Sequence, residues 1–234
     1  MRVTDNKYAK NIHYYSENCP EGIIKILKNN KIKSTLDLGC GDGALLYALK
    51  IQGLLNSKKV YAVDISPERI DRVKQIDKNF ICLVADACKL PAKMKIEKLD
   101  FIISSQLIEH VENQNQLIQE MKDVLMPGGY LYLGTVFKKK YAWYYHYNKG
   151  NWVLDPTHLR EYTDEKQLTK LLEKSDLNII QNSKTLYWFP LTDFFLKRLC
   201  SDRKIYNSKI FNLLRKIKIP IIGYYNWELI CQKK

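Results

Sequence analysis

Short continuous apolar runs alternate along this chain with longer stretches in which apolar residues recur every three or four positions. The short runs are typical of buried strands, and the longer stretches are typical of amphipathic helices. The predicted strands span 35–38, 59–64, 80–85, 99–105, 130–136, residues from 178 onward, and 224–231. The predicted helices span 21–28, 43–52, 67–76, 113–125 and 164–174. Because strands and helices alternate, we expect an α/β fold, a doubly wound and mainly parallel seven-stranded sheet with helices on both faces.

Three local patterns predict where helices begin and end. Ser66 followed by Pro67 is typical of an N-cap and a first helical residue. Thr163 is placed to cap the helix over 164–174. The break Pro127-Gly128-Gly129 predicts the end of the helix over 113–125 and the entry into the next strand.

A glycine-rich turn joins the first predicted strand to the helix after it. The apolar run that ends at Leu38 is followed by glycines at alternate positions, Gly39, Gly41 and Gly43. A strand, glycine turn and helix in this order bring the backbone close to a nucleotide-like ligand, since glycine has no Cβ in the way. Gly39, Gly41 and Ala44 also satisfy the dinucleotide fingerprint G-x-G-x-x-G/A, so the turn alone leaves an NAD(P) site open.

Acidic residues recur at the carboxyl ends of three successive predicted strands. Asp37 lies in the first strand, Asp64 ends the second, and Asp86 follows the third. One aspartate at such a place is commonly a helix or turn cap. Three in register indicate instead a ligand site along the sheet edge where open α/β folds bind their ligands.

These segments resemble the motifs of the class I S-adenosylmethionine (SAM)-dependent methyltransferases, over roughly 23–189 and the last strand. The matching segments are LDLGCGDG (36–43), AVDIS (62–66), ADA (85–87), LDFIISSQLIEHVE (99–112) and LMPGGYLYLGT (125–135). The resemblance implies SAM as cofactor and an antiparallel seventh strand at 224–231. Within that class, the chain is similar to the type 11 and quinone-biosynthesis O-methyltransferases.

The resemblance further implies which residues bind SAM. For the methionine end it implies Asp37, the turn residues Gly39, Cys40, Gly41 and Gly43, and the backbone at Ser104 and Gln106. For the adenosine end it implies Asp64 at the ribose hydroxyls, Ile65 and Ala87 at the adenine ring, and Asp86 at the adenine amino group.

Composition narrows the classes of protein and partner. At 234 residues the chain is expected to form a single domain, 1–234. Its cysteines form no C-x-x-C pair, which indicates neither a zinc site nor a disulfide framework and favours a reducing cytoplasm. No signal peptide or membrane-spanning run is predicted. The net charge of +13 favours an anionic partner.

Two segments fall outside the predicted scaffold. The first, 138–162, begins with three lysines and is rich in tyrosine and tryptophan, which favours a lid or substrate wall, although a lid packed only on its own aromatic residues stays open.

The second segment is a basic amphipathic insertion at 190–220, with eight basic and two acidic residues. Ile210, Leu213, Leu214 and Ile217 have helical spacing. Such a helix can bind an anionic membrane, including the inner membrane surface, can pack on its own domain, or can follow RNA phosphates.

Candidate catalytic residues follow the fourth predicted strand and the lid. Glu109 and His110 lie just after that strand, and His158 lies in a segment, 155–162, that resembles family members with D-x-x-H-x-R-x-[FY]. Histidine is suited to removing a hydroxyl proton near neutral pH, and two histidines from different loops also make a candidate metal site.

A divalent metal is open but not favoured. Quinone-biosynthesis O-methyltransferases and small-RNA terminal methyltransferases, which this segment resembles, use E-x-x-E-H and a later histidine to bind a divalent ion. Here Gln106 stands at the first of those positions, and a neutral amide is a poorer ligand than a carboxylate.

The sequence therefore predicts SAM-dependent methyl transfer, with a hydroxyl of an apolar or amphiphilic small molecule (a lipid, quinone precursor or glycolipid) as acceptor. The aromatic lid and the basic insertion motivate this acceptor. An RNA methyltransferase is the first alternative, because aromatic side chains can stack on bases. A non-catalytic SAM-binding partner subunit is the second. With the whole motif set in view, an NAD enzyme becomes remote.

Overall fold

A seven-stranded sheet with helices on both faces organises the residues that the computed structural model describes, which are 15, 17–144, 146–148, 150–190, 213–214 and 216–234. The helices are α1 (Glu21–Asn29), α2 (Ala44–Ile51), α3 (Pro67–Ile76), α4 (Ala92–Glu97), α5 (Gln114–Val124) and α6 (Lys166–Lys174). The strands are β1 (Ser34–Leu38), β2 (Lys59–Asp64), β3 (Ile81–Val84), β4 (Leu99–Ser105), β5 (Leu125–Lys138), β6 (His146–Asn148), β7 (Asn151–Val153), β8 (Leu177–Pro190) and β9 (Lys218–Lys233). Most of the predicted insertion at 190–220 lies outside the described residues.

The strand order is β3-β2-β1-β4-β5-β9-β8. Strands β1 to β5 pair in parallel, and β9 runs antiparallel to both β5 and β8. The fold class predicted from the sequence is confirmed, including the antiparallel last strand. Because β1 lies between β2 and β4, the chain order reverses at β1, and the carboxyl ends there form the crevice in which such sheets bind ligands.

The two faces of the sheet bury separate apolar layers. Leu36 and Leu38 of β1 pack in the layer that includes α5 and α6. The opposite layer contains the buried faces of α1, α2 and α3. Each fully buried leucine contributes about 1.5–3 kcal/mol of transfer free energy. Since side chains alternate along a strand, Asp37 points away from the layer of its two leucine neighbours.

Several predicted boundaries need correction. Thr163 is not the N-cap of α6, because that helix begins at Lys166 and Glu165 occupies the cap position without a side-chain bond. The Gln167 side chain instead accepts hydrogen bonds from the Thr163 and Asp164 amides, which closes the turn before the helix. The predicted Ser66 cap of α3 is confirmed, since its hydroxyl accepts from the Arg69 amide.

The strand after α5 is longer than the sequence indicated. It begins at Leu125, so the Pro127-Gly128-Gly129 segment lies inside β5 and not between helix and strand. Its pairing with β4 shifts register between Leu99 and Phe101, which accommodates the irregular segment. Helix α4 was not predicted, and β9 begins before and ends after its predicted limits of 224 and 231.

The segment 138–162 forms a closed loop against the end of β9. Its two ends meet where the Lys138 amide donates to the Tyr162 carbonyl at 2.8 Å. Between them, β6 and β7 pair as an antiparallel hairpin. The Tyr224 hydroxyl donates to the Trp152 carbonyl at 3.1 Å and joins that hairpin to β9. Within the described residues, no helix has the length and hydropathy needed to cross a bilayer.

Candidate functional site

The three glycines of the turn after β1 have two different structural roles, close packing of neighbouring elements and open space for a ligand. Gly39, Gly41 and Gly43 all have positive φ values, 75°, 53° and 78°. A Cβ at Gly39 would come within 2.8 Å of Leu107, and one at Gly43 within 2.6 Å of Ile76. A Cβ at Gly41 would meet nothing closer than the Arg69 guanidinium at 3.9 Å. Gly39 and Gly43 therefore let neighbouring elements pack closely, whereas Gly41 leaves backbone open to a ligand.

Asp64 ties this turn to the end of β2. One carboxylate oxygen accepts from the Gly41 amide and the other from the Ser66 amide, each at 2.9 Å. The Gly39 and Cys40 amides donate to the Val63 carbonyl at 2.8 and 3.0 Å. Each Asp64 oxygen keeps a further lone pair for a donor such as a ribose hydroxyl. Ile65 beside it is 59% exposed, and its contact with the adenine ring stays a prediction.

Asp37 is a buried carboxylate with an unused acceptor. Its side chain is 2% exposed, and its Oδ2 has no hydrogen-bond partner in the part of the chain that the structure describes. Burial, and secondarily the charge of Asp64, raise the pKa of Asp37 to about 7. A cationic ligand group at this place would stabilise the ionised carboxylate.

The remaining residues of the predicted cofactor set lie at the same edge of the sheet. Asp86 is exposed, and its Oδ1 accepts from the Cys88 amide at 2.8 Å, so it caps the turn after β3. Ala87 beside it is buried. Ser104 is buried near the end of β4, and Gln106 has a positive φ of 54°. A positive φ is uncommon for a residue other than glycine. The next residue, Leu107, packs against Gly39 of the glycine turn.

Glu109, His110 and His158 converge beside this edge. One ligand atom from each lies within 4.8 Å of the others, and the two imidazole rings meet edge to face with centroids 4.8 Å apart. Glu109 is fully buried, and its Oε2 accepts from the Thr135 hydroxyl at 2.9 Å. Its Oε1 has no partner among the described residues, and burial raises the pKa of Glu109. The sequence predicted these residues as a set, and the structure brings them together.

The His110 imidazole is neutral near pH 7. Burial first, and the neighbouring His158 second, lower the pKa of His110 to about 4. A neutral imidazole is an acceptor at one nitrogen and a donor at the other.

Arg160 joins the two loops that carry these side chains. Its guanidinium donates to the Ile108 carbonyl at 2.7 Å, to the Glu112 carbonyl at 2.9 Å, and to the Val111 carbonyl. The Leu159 amide donates to the Glu109 carbonyl at 2.9 Å. The arginine of the D-x-x-H-x-R pattern therefore fixes the loop after β4 against the segment that carries His158.

Sequence reasoning missed the residues behind the two imidazoles. His158 Nδ1 lies 2.8 Å from a Glu161 carboxylate oxygen, and the Lys138 ammonium lies 3.2 Å from the other oxygen. His110 Nδ1 lies 3.2 Å from the Thr157 hydroxyl, which donates to Asp155 at 2.6 Å. Asp155, Thr157 and Glu161 all belong to the segment 155–162, whereas Lys138 does not. The acidic and hydroxyl residues next to His158 in the sequence could therefore have indicated the partners of the two imidazoles.

Comparison with known proteins decides the class of the cofactor site. A family model described as a methyltransferase domain matches residues 5–182. The chain belongs to the class I SAM-dependent methyltransferases. The dinucleotide interpretation of the glycine turn and the non-catalytic subunit are set aside with this membership.

Curated relatives and solved structures are similar over most of the chain. The ubiquinone biosynthesis O-methyltransferase of Coxiella burnetii is 27% identical over 176 residues, which cover 70% of this chain and 71% of that protein. The YcgJ protein of a Bacillus species has a TM-score of 0.60 at 17% identity and covers 92% of this chain and 97% of its own. The 1,6-didemethyltoxoflavin-N1-methyltransferase of Burkholderia thailandensis, solved with S-adenosylhomocysteine, has a TM-score of 0.57 at 16% identity, covering 91% and 76%. Both structures support the fold.

The residues at the sheet edge fit SAM in this methyltransferase. SAM carries an α-ammonium group, and the unused, buried oxygen of Asp37 is a complementary acceptor. The open space at Gly41 leaves room for the ligand, and the remaining lone pairs of Asp64 are complementary to ligand hydroxyl groups. The contact of each residue with SAM stays a prediction.

Proposed function

We propose that this SAM-dependent methyltransferase methylates a hydroxyl oxygen of an apolar or amphiphilic small molecule. The observation that carries the proposal is the pair of half-buried His110 and buried His158, which lies next to the cofactor edge and whose Nδ1 atoms are both engaged. A hydroxyl has to lose its proton during transfer, and an imidazole nitrogen is the side-chain group best suited to accept it near neutral pH.

The chain's own residues then have two tasks. SAM supplies a methyl carbon whose bond to sulfur breaks, with the bonding pair left on sulfur, as an oxygen lone pair attacks from the opposite side. His158 Nε2 accepts the hydroxyl proton, and Glu161 stabilises the imidazolium that results. Neutral His110 packs edge to face against the His158 ring, and the loop held by Arg160 keeps both rings in place. Positioning of this kind supplies much of the rate in a displacement reaction.

The relatives support oxygen as the acceptor atom. The Coxiella burnetii protein is named an O-methyltransferase of ubiquinone biosynthesis, and its similarity covers most of this chain. Its named role favours a hydroxyl acceptor and, within the predicted class of lipid, quinone precursor or glycolipid, a quinone precursor.

The lid supports an amphiphilic acceptor and contact with an anionic membrane. Tyr141, Trp143 and Tyr147 are 68%, 62% and 63% exposed, although Trp143 and Tyr147 also pack against Trp152. The exposed Lys139 and Lys140 precede them. Aromatic rings next to lysines are typical of surfaces that bind the headgroup region of anionic bilayers. The same surface could stack RNA bases, so RNA stays the alternative acceptor. A cytoplasmic location, peripheral at the inner membrane surface, also stays a prediction.

A bound divalent cation is the second candidate for the histidine site. Glu109, His110 and His158 offer three mixed nitrogen and oxygen donors, and Glu109 Oε1 has no partner within the described part of the chain. Such a donor set fits a divalent transition metal, which would bind the acceptor oxygen and lower the pKa of its hydroxyl. Gln106 in place of a carboxylate favours the metal-free interpretation.

Labelling with methyl-labelled SAM tests the acceptor class. The full chain is incubated with the label and a cell extract, and the products are divided by organic extraction and by nuclease digestion. We expect label in the organic phase, absent with His158→Ala, while SAM affinity of that variant stays within about twofold. Label confined to nuclease-sensitive material would instead establish RNA as the acceptor. Full activity in both His110→Ala and His158→Ala would contradict the histidine assignment.

A further inference from the structure

A chain of hydrogen bonds from Asp155 determines which nitrogen of His110 carries the proton. The Thr157 hydroxyl has one proton and lies 2.6 Å from the Asp155 carboxylate, which only accepts. That proton is therefore directed to Asp155, and the Thr157 oxygen is left as an acceptor. Because His110 Nδ1 is 3.2 Å from this oxygen, it has to be the donor, which leaves Nε2 with a free lone pair.

A second chain of contacts leads to the same result at His158. Glu161 Oε1 accepts from the Leu154 amide at 2.6 Å and lies 2.8 Å from His158 Nδ1. The Lys138 ammonium forms an ion pair with the other oxygen, Glu161 Oε2, at 3.2 Å. The side chains of His158 and Glu161 are 4% and 1% exposed, so water does not compete for these bonds. Nδ1 is again the donor.

We propose that Asp155, Thr157 and Glu161 are positioning residues that fix His110 and His158 together as Nδ1–H tautomers, with both Nε2 atoms left as acceptors. The proton-accepting role of those atoms rests on the proposed function, whereas the tautomers follow from the hydrogen bonds alone. One short segment of the chain, 155–161, thereby fixes the tautomer of both imidazoles. Neither imidazole is free to present an N–H to the acceptor oxygen.

The same segment links the imidazoles to the lid. Glu161 accepts from Leu154, which directly follows β7, and Lys138 also donates to the Trp152 carbonyl at 2.7 Å. The hairpin of the lid is therefore anchored to the carboxylate that orients His158. Displacement of the hairpin would remove the Leu154 contact with Glu161.

Nitrogen NMR of the imidazole rings tests the tautomers directly. The full chain is labelled with ¹⁵N at histidine, and two-bond ¹H–¹⁵N spectra at neutral pH distinguish Nδ1–H from Nε2–H, the form that free imidazole side chains prefer in water. Signals of His110 and His158 are assigned from His110→Gln and His158→Gln. We expect both to be Nδ1–H in the wild type. A wild-type Nε2–H signal from either residue would overturn the proposal.

Substitutions separate the two chains of hydrogen bonds. Thr157→Val removes the acceptor for His110 and is expected to convert that ring alone to Nε2–H. Glu161→Ala is expected to convert His158, whereas Glu161→Gln keeps an acceptor oxygen and should keep the Nδ1–H form, with a smaller loss of stability. The exposed Thr185→Val and Glu173→Ala are matched controls and should leave both rings unchanged. An unchanged His110 tautomer in Thr157→Val would also contradict the proposal.

Kinetics then distinguish this inference from the proposed function. Loss of a residue that orients a reacting or binding group typically costs about 10- to 100-fold in activity. We expect such a fall in kcat for Thr157→Val and Glu161→Ala, with SAM affinity unchanged within about twofold. Tautomers that convert while kcat stays at the wild-type value would support the positioning assignment and overturn the role of the histidines in proton transfer.

Discussion

The Gly41 amide donates to the Asp64 carboxylate across 2.9 Å, and this bond joins the glycine turn of the cofactor site to the end of the neighbouring strand. The other oxygen of the same carboxylate holds the Ser66 amide at the start of α3. Asp64 therefore shapes the cofactor site before any ligand binds, in addition to its predicted contact with the ribose.

Replacing Asp64 tests this double role. Asp64→Ala removes the acceptor for two backbone amides, and each such charge-assisted bond contributes about 1.5–3 kcal/mol. We expect SAM affinity to fall by at least about 30-fold and the free energy of unfolding to fall as well. Calorimetric titration and chemical denaturation measure the two effects. Asp71→Ala, at an exposed position on α3, is the control. Unchanged SAM affinity in Asp64→Ala would contradict the assignment.

Substitutions at two glycines of the turn should affect different properties, the free energy of unfolding at Gly43 and SAM affinity at Gly41. Gly43→Ala places a methyl group 2.6 Å from Ile76 at a φ of 78°, and we expect it to lower the free energy of unfolding by about 2–4 kcal/mol. Gly41→Ala meets only open space and should lose about 1 kcal/mol from its positive φ while weakening SAM binding more than tenfold. Urea denaturation and calorimetry compare them. Equal SAM affinity for Gly41→Ala and the wild type would show that this backbone does not approach the ligand.

The stability of the ligand-free enzyme should depend on Asp37. Its pKa is raised from 3.8 to about 7, so the folded state binds a proton that the unfolded state has released between these values. The contribution to stability is therefore present below pH 4 and is lost as the pH rises toward 7. Asp37→Asn should flatten this part of the pH dependence and should be more stable than the wild type at pH 8. Denaturation series from pH 4 to 8 measure this. A wild-type profile that rises over this range would contradict the assignment.

SAM binding should show the opposite dependence on pH. The ammonium group of SAM is predicted to pair with the ionised form of Asp37, and at pH 6 a carboxyl group with a pKa of about 7 is only about one-tenth ionised. We expect SAM affinity to be about five- to tenfold weaker at pH 6 than at pH 8. In Asp37→Asn this difference should disappear. Calorimetric titrations at both pH values, in buffers of equal ionic strength, distinguish these outcomes.

Chelation tests the role of a metal at the histidine site. Because Gln106 replaces a carboxylate ligand, we expect full activity after dialysis against EDTA and no gain on addition of Zn²⁺ or Mn²⁺. Gln106→Glu is the informative variant, since it restores the carboxylate at the first position of the E-x-x-E-H pattern and should increase Zn²⁺ affinity. Loss of wild-type activity on chelation, restored by one metal, would establish the second candidate mechanism instead.

Vesicle binding tests the lid surface. Each lysine near an anionic bilayer contributes about 1 kcal/mol, so Lys139→Ala combined with Lys140→Ala should weaken binding to phosphatidylglycerol vesicles by about 10- to 30-fold. Lys170→Ala combined with Lys174→Ala, at exposed positions on α6, should leave binding unchanged. Sedimentation with anionic and with neutral vesicles measures both. Equal binding of all variants to anionic vesicles would place membrane contact elsewhere on the molecule.

Some features of the fold were predictable because they depend on neighbouring residues. The Ser66-Pro67 start of α3 and the glycine turn were read correctly, since a cap and a tight turn need only a few adjacent positions. The start of α6 was wrong because Gln167, inside the helix, supplies the acceptor for the preceding amides and makes a Thr163 cap unnecessary. The early start of β9 was missed because that end is stabilised by pairing with β8, and not by a local pattern.

The sequence by itself determined the parallel sheet, the cofactor edge and the candidate residues, because hydrophobic period and motif order are properties of the chain. Only the tertiary structure decided that His110 and His158 meet edge to face and that Thr157 and Glu161 occupy their Nδ1 atoms. These contacts join a loop after β4 to the far end of the lid. Their geometry depends on the packing of both loops and on the Arg160 bonds between them, which no local pattern encodes.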